Sequence, residues 1–275
     1  MSGLAGKTLL ITGASRGIGK AIALRAAGDG ANIVLAAKTE TPHPTLPGTI
    51  HETAAEIVAA GGQALPLKVD VRDEAQIERA VAAALERFGG IDIVVNNAGA
   101  ISLTGTAETE MKRFDLMVGV NVRATFALTR ACLPALKRAD NPHILTLSPP
   151  PSLDPRWYGP HPAYTLSKMG MSLLVLGWAE EFRPLGIAAN ALWPRTLIDT
   201  AAMRVVGAPI RPEHCRRPEI VADAAHAILT RPARTHSGRF YLDEEALAES
   251  GVTDFARYAV VPGRIPLPDL FVAPE

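Results

Sequence analysis

Cysteine is scarce in this sequence, and its scarcity excludes two ways of holding a chain together. Among 275 residues only Cys132 and Cys215 occur, and they stand far apart. Neither has another cysteine or a paired histidine at the spacing of metal ligands, so neither a disulfide framework nor a zinc site is predicted. Two isolated thiols are typical of a reducing compartment, which makes a cytoplasmic protein the expectation.

An excess of charge of one sign is also lacking. The 28 lysine and arginine residues balance 28 aspartate and glutamate residues, and no basic cluster appears along the chain. Such a composition offers little attraction for nucleic acid or for an anionic membrane surface. No apolar run approaches the roughly 20 residues that a membrane-spanning helix requires. We therefore expect a small-molecule substrate as the partner, with no nucleic acid and no membrane.

The sequence does contain a regular alternation of short apolar runs with longer amphipathic segments. The segment 73–88, for example, carries apolar residues at helical spacing behind Asp73 and Gln76, which resemble a capping box. Apolar strands joined by helices indicate a parallel sheet that is covered on both faces. The prediction is one α/β domain over residues 1–275, with a doubly wound, Rossmann-like parallel sheet of seven strands. The strand candidates are TLLIT, NIVLAA, ALPLKVDV, IDIVVN, HILTLS, IAANALW and RFYLD.

Two segments interrupt this alternation. Residues 39–50, TETPHPTLPGTI, are rich in proline and too long for an ordinary strand-to-helix connection, so we expect a surface loop near the cofactor. Residues 244–275 follow the last strand candidate without a clear helical period, and we predict an irregular tail. The sequence leaves open whether this tail covers the substrate cleft or a subunit contact.

A glycine-rich segment, TGASRGIG at residues 12–19, stands between the first strand candidate and the first helix. Gly13, Gly17 and Gly19 permit a tight turn and let backbone N–H groups approach a pyrophosphate, while the helix N-terminus adds partial positive charge. A glycine triplet often marks an ordinary tight turn. Its place between a strand and a helix favours a dinucleotide site instead.

The second strand candidate ends in a lysine rather than an acid. Lys38 stands where an aspartate or glutamate would bind the 2′-hydroxyl of an adenosine ribose, and Arg16 lies in the glycine-rich turn. Two cations suit a 2′-phosphate, which predicts NADP rather than NAD. The alternative is that both are solvated surface charges, which is the usual fate of a single lysine.

Tyr164 and Lys168 are four residues apart on a helix that we expect to begin near Pro162. At this spacing both side chains point into one cleft, and an ammonium beside a phenol lowers the pKa of the phenol. A tyrosine of lowered pKa acts as an acid and a base on a carbonyl or an alcohol. In an arbitrary protein, an amphipathic helix with a surface lysine would be the simpler interpretation.

Together these segments resemble the short-chain dehydrogenase/reductase family over nearly the whole chain. The motifs that carry the resemblance are TGASRGIG, NNAG, VNVRATF, YTLSK and NALWPRT. The resemblance implies a nicotinamide cofactor that exchanges hydride with the substrate, and a homodimer or homotetramer. It also implies that Asp70 contacts adenine, that Lys168 binds the nicotinamide ribose, and that Asn121 holds a water in a proton relay. The predicted cofactor-binding residues are Gly13, Ser15, Arg16, Gly17, Ile18, Gly19, Lys38, Asp70, Val71, Asn97, Ala98, Gly99, Tyr164 and Lys168.

Within the family, the segments AAKTETPHPTLPGTI and LSPPPSLDPRW are similar to a hydroxysteroid dehydrogenase-like branch. Where this sequence ends, that branch would continue into a sterol-carrier domain. The expectation is therefore a stand-alone catalytic module, and the sequence, rich in alanine and arginine, indicates a bacterial relative.

The serine that the family has at the end of the fifth strand is displaced here. Alignment of the strands puts Pro149, the first of three consecutive prolines, at its position, one residue after Ser148. A one-residue offset reverses side-chain direction in a regular strand, yet the proline run must bend the chain. We therefore assign the catalytic serine to Ser148, with Ser152 as the second candidate. The alternative is that Ser148 only satisfies a local backbone group.

These residues predict an NADP(H)-dependent oxidoreductase that interconverts an alcohol and a carbonyl on an apolar small molecule. An NADP-binding sensor or assembly module with little turnover is the alternative from another class, because prolines occupy the serine position. An enoyl reductase is a third candidate, which the short spacing from tyrosine to lysine disfavours by family resemblance. The predicted catalytic residues are Tyr164, Lys168, Asn121 and Ser148. The pocket lining, unless these side chains serve only in packing, is Trp157, Tyr158, Trp193 and Met203.

Overall fold

The seven predicted strands form one parallel sheet in the computed structural model, which describes residues 3–42, 46–201, 203 and 210–273. The strand order is β3-β2-β1-β4-β5-β6-β7, so the chain winds outward from β1 to one edge and then from β4 to the other. This order confirms the doubly wound α/β fold. The strands are β1 Thr8–Thr12, β2 Asn32–Ala37, β3 Gln63–Lys68, β4 Ile93–Asn96, β5 His143–Thr146, β6 Ala188–Trp193 and β7 Phe240–Leu242.

Helices cover both faces of this sheet. They are α1 Gly17–Ala27, α2 Ile50–Ala59, α3 Glu74–Phe88, α4 Met111–Met117, α5 Ala124–Leu136, α6 Pro155–Tyr158, α7 Pro162–Glu181, α8 Glu219–Leu229 and α9 Asp243–Ala248. One apolar core lies between the sheet and α1, α2 and α8, and a second lies between the sheet and α3, α5 and the end of α7. Central strands such as β1 and β4 are therefore buried along their whole length, as expected of a parallel sheet.

The edge strand β3 differs from the central strands. It pairs with β2 alone and contains Pro66, which lies opposite Leu35. A proline is tolerated there because an edge strand is hydrogen-bonded on one side only. The strand ends at Lys68, earlier than the apolar run that predicted it, and Val69 and Val71 of that run pack in the second core instead.

The helix predicted over residues 73–88 is confirmed as α3, with Asp73 as its N-cap. The Asp73 carboxylate accepts a hydrogen bond from the backbone N–H of Gln76 at 3.2 Å. The amide oxygen of Gln76 accepts from the backbone N–H of Asp70 at 2.9 Å, so this side chain also holds the loop after β3. The helix ends at Gly89, whose φ of 79° is left-handed.

Both irregular segments contain more structure than the sequence indicates. Within 39–50, residues 43–45 lie outside the described part of the chain, and Ile50 is already the first residue of α2. Thr49 and Glu52 form a capping box there. In the tail, the prediction of an irregular segment from residue 244 is wrong at its start, because Asp243–Ala248 forms α9. Its first turn carries three acidic residues, which favour a helix N-terminus.

Helices α4 and α5 are joined by a π-helical turn, Val118–Arg123, into one long helix. The combined helix, Met111–Leu136, is long and apolar enough by length and composition to cross a membrane, contrary to the sequence-based expectation. Leu128, Cys132 and Leu136 nevertheless pack in the second core of the fold. A helix that buries one face in a core can have the same length and apolar composition as a membrane-spanning helix. Packing in the second core therefore explains the hydropathy of Met111–Leu136 without a bilayer.

Candidate active site

The turn between β1 and α1 has the close packing that a phosphate cradle needs. Gly13 and Gly17 have φ values of 67° and 56°, which glycine adopts at no steric cost. A Cβ on Gly19 would lie 2.4 Å from Nδ2 of Asn97 and 2.8 Å from the Gly13 carbonyl oxygen. The turn therefore requires glycine at these positions, and it presents the N-terminus of α1 at the carboxyl edge of the sheet.

Asn97 and Thr12 fasten this turn to the end of β4. Nδ2 of Asn97 donates to the carbonyl oxygens of Thr12 and Gly13, at 2.8 Å and 3.2 Å. Oγ1 of Thr12 accepts from the backbone N–H groups of Asn97 and Ala98, both at 3.1 Å. The amide of Asn97 thus supports the cradle, and direct contact of Asn97, Ala98 and Gly99 with a cofactor stays a prediction.

Three other predicted cofactor residues lie at the same edge of the sheet. Ser15 is buried, and its carbonyl oxygen accepts from Oγ1 of Thr53 in α2 at 3.2 Å. Ile18 packs on the first core and Val71 in the second. These contacts fix the backbone around the cradle, and no contact with a cofactor is implied by them.

Lys38 follows β2 directly and remains largely open to solvent, with 63% of its side chain exposed. Its ammonium lies 3.3 Å from a carboxylate oxygen of Asp70. The Arg72 guanidinium also binds this carboxylate, at 2.6 Å and 3.0 Å, and with Lys38 it holds the pKa of Asp70 well below its usual range. Arg16 donates to the carbonyl oxygen of Gly48 at 3.0 Å, which brings the proline-rich loop against the cradle.

Tyr164 and Lys168 both lie on the inner face of α7, which has Pro162 as its first residue. Their exposed fractions are 5% and 6%. The Lys168 ammonium donates to the carbonyl oxygen of Leu147 at 2.7 Å and lies 4.9 Å from the ring centroid of Trp193. Lys168 is therefore held at the carboxyl end of β5, and Tyr164 lies four residues before it on the same helix.

The protonation of this pair differs from the sequence-based expectation. Burial, with a smaller contribution from the negative charge of Asp269, raises the pKa of Tyr164. Burial also lowers the pKa of Lys168 to about 8, against the opposing effect of Asp269. The expected lowering of the tyrosine pKa by Lys168 is wrong for this arrangement, because loss of solvent dominates the pKa of the buried phenol. Tyr164 is a neutral phenol near pH 7 and thus a proton donor.

Ser148 and Ser152 occupy different environments. Ser148 is fully buried, and its Oγ has no hydrogen-bond partner within the described residues. The carbonyl before it accepts from Lys168, and the carbonyl of Pro149 accepts from Oγ of Ser172 at 2.6 Å. Oγ of Ser152 instead accepts from the backbone N–H of Asp154 at 3.2 Å. Ser148 therefore lies against α7 with a hydroxyl available, whereas Ser152 stabilises the loop before α6.

Asn121 sits in the π-helical turn and is completely buried. Its side chain accepts from the backbone N–H of Ala100 at 2.7 Å and donates to the Ala100 carbonyl oxygen and to Oγ of Ser167, at 3.0 Å and 2.8 Å. Ser167 in turn donates to the Tyr164 carbonyl oxygen at 2.8 Å. Asn121 therefore connects the loop after β4 with the helix that carries Tyr164, and its role in a water relay stays a prediction.

Aromatic rings surround Tyr164, and the central ring comes from the C-terminal tail. The ring centroid of Phe271 lies 6.1 Å from that of Tyr164, and 5.8 Å from those of both Trp157 and Trp193. Sequence reasoning named the two tryptophans but missed Phe271, because the tail carries no periodicity that would assign it to the site. His161, also missed, is buried beside Tyr164 with its Nε2 unpartnered among the described residues.

The other two predicted lining residues are less central. Tyr158 packs at the border of the aromatic cluster and donates its hydroxyl to the carbonyl oxygen of Ser152 at 2.9 Å. Met203 is half-buried, and its described contact is a backbone hydrogen bond to the Thr200 carbonyl oxygen. Tyr158 thus shapes the loop before α7, and the pocket role of Met203 stays a prediction.

Comparison with known sequences agrees with this arrangement. A family model described as short chain dehydrogenase matches residues 7–209. Hydroxysteroid dehydrogenase-like protein 2 of Danio rerio is 59% identical over 269 residues, which make up 98% of this chain and 64% of that protein. The predicted similarity to the hydroxysteroid dehydrogenase-like branch is confirmed. The chain spans slightly less than two thirds of the length of this relative.

Comparison with solved structures gives the same result. The crystal structure of a candidate dehydrogenase from Xanthomonas campestris is 60% identical, with a TM-score of 0.97 over 99% of this chain and 100% of that one. A metagenomic short-chain oxidoreductase, solved in complex with NADP, is 28% identical, with a TM-score of 0.73 over 88% of this chain and 98% of that one. The sheet order and helical layers described above are therefore shared with solved members of one family.

Proposed function

Because this chain belongs to the short-chain dehydrogenase family, we propose that it is an NADP(H)-dependent oxidoreductase that interconverts an alcohol and a carbonyl on an apolar small molecule. The observation that carries the proposal is that three buried polar groups belong to β5's carboxyl end and to the helix α7 that packs there. They are the Tyr164 phenol, the Lys168 ammonium and the unpartnered Ser148 hydroxyl. Hydrogen-bond donors kept from water are what a carbonyl oxygen requires as it gains negative charge.

The residues of the cradle fit a dinucleotide. A Cβ at Gly13 or Gly19 would fill the space next to the turn, and the N-terminus of α1 suits a pyrophosphate. The exposed ammonium of Lys38, with Arg16 in the turn, favours a 2′-phosphate over a free ribose hydroxyl. A relative that shares 28% of the sequence is named as a complex with NADP, which supports the same preference.

The side chains of the site have separate roles in this proposal. Tyr164, a neutral phenol near pH 7, donates its proton to the substrate oxygen during reduction and accepts it during oxidation. Ser148 donates a hydrogen bond to the same oxygen, while Lys168 holds positive charge next to both groups. Bound NADPH would supply the hydride. The apolar rings of Trp157 and Trp193 favour an apolar substrate over a highly charged one.

Replacement of the proton donor tests the proposed reaction. In Tyr164→Phe we expect NADPH affinity near that of the wild type and turnover lowered by about 10²–10⁴, because only the proton transfer is lost. The assay follows NADPH oxidation at 340 nm with a panel of aldehydes and ketones. Wild-type turnover in the phenylalanine variant would remove Tyr164 from the mechanism.

The cofactor preference is tested separately. We expect NADPH to bind more tightly than NADH, and Lys38→Ala to lose most of that difference, because a charge-assisted contact contributes about 1.5–3 kcal/mol. Lys68→Ala is the matched control, since Lys68 ends β3 nearby with 64% of its side chain exposed and pairs with Glu40. Equal affinities for the two cofactors, or a Lys38 variant that behaves as the Lys68 variant, would overturn the preference.

One observation favours a second candidate function. Only 5% of the Tyr164 surface is exposed to solvent. A phenol that substrate cannot reach would suit an NADP-binding sensor or assembly module with little turnover. Such a protein would bind NADPH without oxidising it in the presence of any carbonyl compound of a broad panel. If the wild type turns over any compound and Tyr164→Phe abolishes that turnover, the protein is an enzyme.

We also propose a homodimer or homotetramer, as the family resemblance predicts. The outer face of α7 exposes Leu166, Leu173 and Leu176, and Phe126 of α5 is exposed while it stacks on Trp178 of α7. This face, called here the α5–α7 stripe, is a largely apolar surface on two adjacent helices, with the exposed Arg130 one turn after Phe126 on α5. A second copy of the chain offers the same surface in return.

A further inference from the structure

The C-terminal segment 267–272 returns to the active site and is bound there by its backbone. The carbonyl oxygen of Leu267 accepts from the backbone N–H of Leu197, and the backbone N–H of Asp269 donates to the Arg195 carbonyl oxygen. The carbonyl oxygen of Leu270 accepts from the indole N–H of Trp193 at 2.8 Å. These bonds tie the segment to the end of β6 and the residues that follow, which lie next to β5 in the sheet.

Phe271 points from this segment into the aromatic cluster. It is buried, and its ring stacks on that of Tyr164 with an interplanar angle of 29°. Its edges meet Trp157 and Trp193 at angles of 58° and 64°, and His161 at a centroid distance of 6.5 Å. Four rings from three separate parts of the chain therefore converge on this single side chain.

The backbone at Phe271 has an unusual conformation. Its φ of 69° is the only positive value of a non-glycine residue in the described ranges. A residue with a Cβ rarely adopts this region, and such residues persist where the surrounding structure holds them in place. The hydrogen bonds on either side of Phe271 and the rings around it provide that support. The contacts of the Phe271 ring and of its neighbours therefore offset the cost of an unfavourable backbone conformation.

We propose that Phe271 is a positioning residue of the active site, through which the C-terminal segment 267–272 covers Tyr164, and that substrate reaches the Tyr164 hydroxyl only when this ring moves. The effect of Phe271 on turnover rests on the proposed function, whereas the covering of Tyr164 by Phe271 rests on packing alone. Tyr164 is nearly inaccessible although a substrate oxygen must come within hydrogen-bond distance of it. Among the described contacts, Phe271 is the ring that stacks on Tyr164 from outside the elements that carry the other site residues.

Chemical nitration of tyrosine by tetranitromethane tests the cover without any need for a substrate. Tyr158 is partly exposed and serves as the internal reference, whereas Tyr164 is buried. In the wild type we expect nitration at Tyr158 and little at Tyr164, mapped by peptide mass spectrometry. In Phe271→Gly, which removes the ring and relieves the backbone, the ratio of Tyr164 to Tyr158 nitration should rise at least about tenfold. Phe271→Leu, which restores apolar volume, should return most of the protection.

Val272→Ala is the matched control. Val272 is as buried as Phe271 in the same segment, so its truncation tests general loosening of the tail. We expect little change in Tyr164 nitration in this variant. The proposal is overturned if Tyr164 is already nitrated as fast as Tyr158 in the wild type. It is also overturned if Val272→Ala raises nitration as much as Phe271→Gly.

A second measurement connects the cover to turnover. In Phe271→Gly the KM of a bulky aromatic ketone should fall, because the ring no longer excludes it, while kcat falls because the phenol is less well positioned. A small aliphatic aldehyde should show the fall in kcat with little change in KM, and Phe271→Leu should recover kcat. Equal effects on both compounds would overturn the positioning role. If the wild type turns over no carbonyl compound, the proposed function fails, and the nitration result still decides whether Phe271 covers Tyr164.

Discussion

Ser148 owes its position to its two neighbours rather than to strand geometry. The Leu147 carbonyl oxygen is bound by Lys168 and the Pro149 carbonyl oxygen by Ser172, so α7 holds the chain on both sides of the serine. The prolines that follow cannot donate backbone hydrogen bonds, so they cannot extend β5 as a regular strand. The Ser148 hydroxyl is left buried without a partner among the described residues. A buried hydroxyl without a hydrogen bond destabilises the fold, unless it donates to an oxygen of a bound ligand.

From this environment we predict different outcomes for the two serines. Ser148→Ala should lower turnover by about 10²–10³, because a hydrogen bond to the developing oxyanion is lost, with NADPH affinity little changed. Ser152→Ala should have a much smaller effect, since Ser152 only accepts a backbone hydrogen bond from Asp154. The measurement is steady-state kinetics on any compound that the wild type reduces. Full activity in both variants would mean that no serine hydroxyl contributes.

The site residues differ in how far sequence could predict them. Tyr164 and Lys168 were predictable because their relation is local, about one turn apart on one helix. Phe271 and Asp269 were not, because they reach the site through an irregular segment whose course depends on backbone hydrogen bonds to residues around β6. The direction of the Tyr164 pKa was also missed, since it depends on burial by residues distant in sequence.

At the scale of an element, the cradle between β1 and α1 depends on contact with the end of β4. A Cβ at Gly19 would meet Asn97 at 2.4 Å and backbone at 2.8 Å, so Gly19→Ala should displace the turn. We expect NADPH affinity to fall at least about tenfold, even though alanine ordinarily stabilises a helix relative to glycine by roughly 0.5–1 kcal/mol. Fluorescence titration with NADPH and thermal unfolding measure the two effects.

Gly90→Ala is the control for the cradle. Nothing lies within 4 Å of a Cβ at Gly90, which precedes β4 and therefore lies away from the cradle at the carboxyl edge of the sheet. This variant should bind NADPH with wild-type affinity. Unchanged NADPH binding in Gly19→Ala would show that the turn can accommodate a side chain and would contradict the geometric argument.

The C-terminal segment should dock in a pH-dependent way. Burial, reinforced by Asp243, raises the pKa of Asp269 to about 7, against the opposing effects of the Leu270 backbone N–H and of Lys168. An undocked segment would release this proton near the ordinary value of 3.8. Between about pH 4 and 7 the undocked state therefore binds fewer protons, so docking weakens as the pH rises through this window and levels off above it.

The charged groups that face Asp269 belong to several elements. Asp243 at the start of α9, itself raised by burial to a pKa of about 6, adds to the same trend. Lys168 of α7 has a pKa of about 8 and titrates above the window, as do the Cys215 thiol and the Tyr164 phenol. The slope between pH 4 and 7 is therefore assigned to the two carboxyl groups.

Hydrogen exchange of segment 264–273, corrected for the intrinsic rate at each pH, measures this docking. Protection should be stronger at pH 5 than at pH 7.5 in the wild type. Asp269→Asn, which stays neutral, should keep most of the protection at pH 7.5. Asp254→Asn is the control, because Asp254 is exposed in the same tail. The Asp243 carboxyl should leave a smaller slope in Asp269→Asn, so a slope that keeps its full wild-type size in this variant would rule out Asp269 as a cause.

The elements themselves were largely predictable, and the exceptions have physical causes. Six of the seven strands lie within their predicted runs, and β3 begins one residue before its run, at Gln63. The runs identify the strands because a strand buried on both faces must be apolar throughout. The ends of β3 and β5 were predicted too long, since the apolar residues that follow these strands, such as Val69 and Leu147, pack in the two cores. Helix α9 was missed because six residues are too few to establish a helical period.

At the scale of the whole molecule, the distribution of apolar surface points to self-association. The chain is neutral overall, with 28 basic and 28 acidic residues, so long-range repulsion between copies is small. On α7 the side chains between Pro162 and Ala179 include one charged group, Lys168, and that group is buried. The α7 part of the α5–α7 stripe therefore presents apolar side chains without the charges that usually keep a helix face in water.

A charge placed in the centre of this stripe tests the assembly. Leu173 is 59% exposed, so Leu173→Asp should leave the fold intact while it adds two carboxylates to the core of a symmetric interface, one from each copy. Light scattering after size exclusion should give the wild type a multiple of the 29.1 kDa chain mass and shift the variant towards 29.1 kDa. Val58→Asp is the matched control, because Val58 is 62% exposed on α2, a helix over the first core rather than the second. A monomeric wild type would overturn the proposed assembly, whereas a Leu173 variant that keeps an oligomeric wild-type mass would move the interface away from α5 and α7.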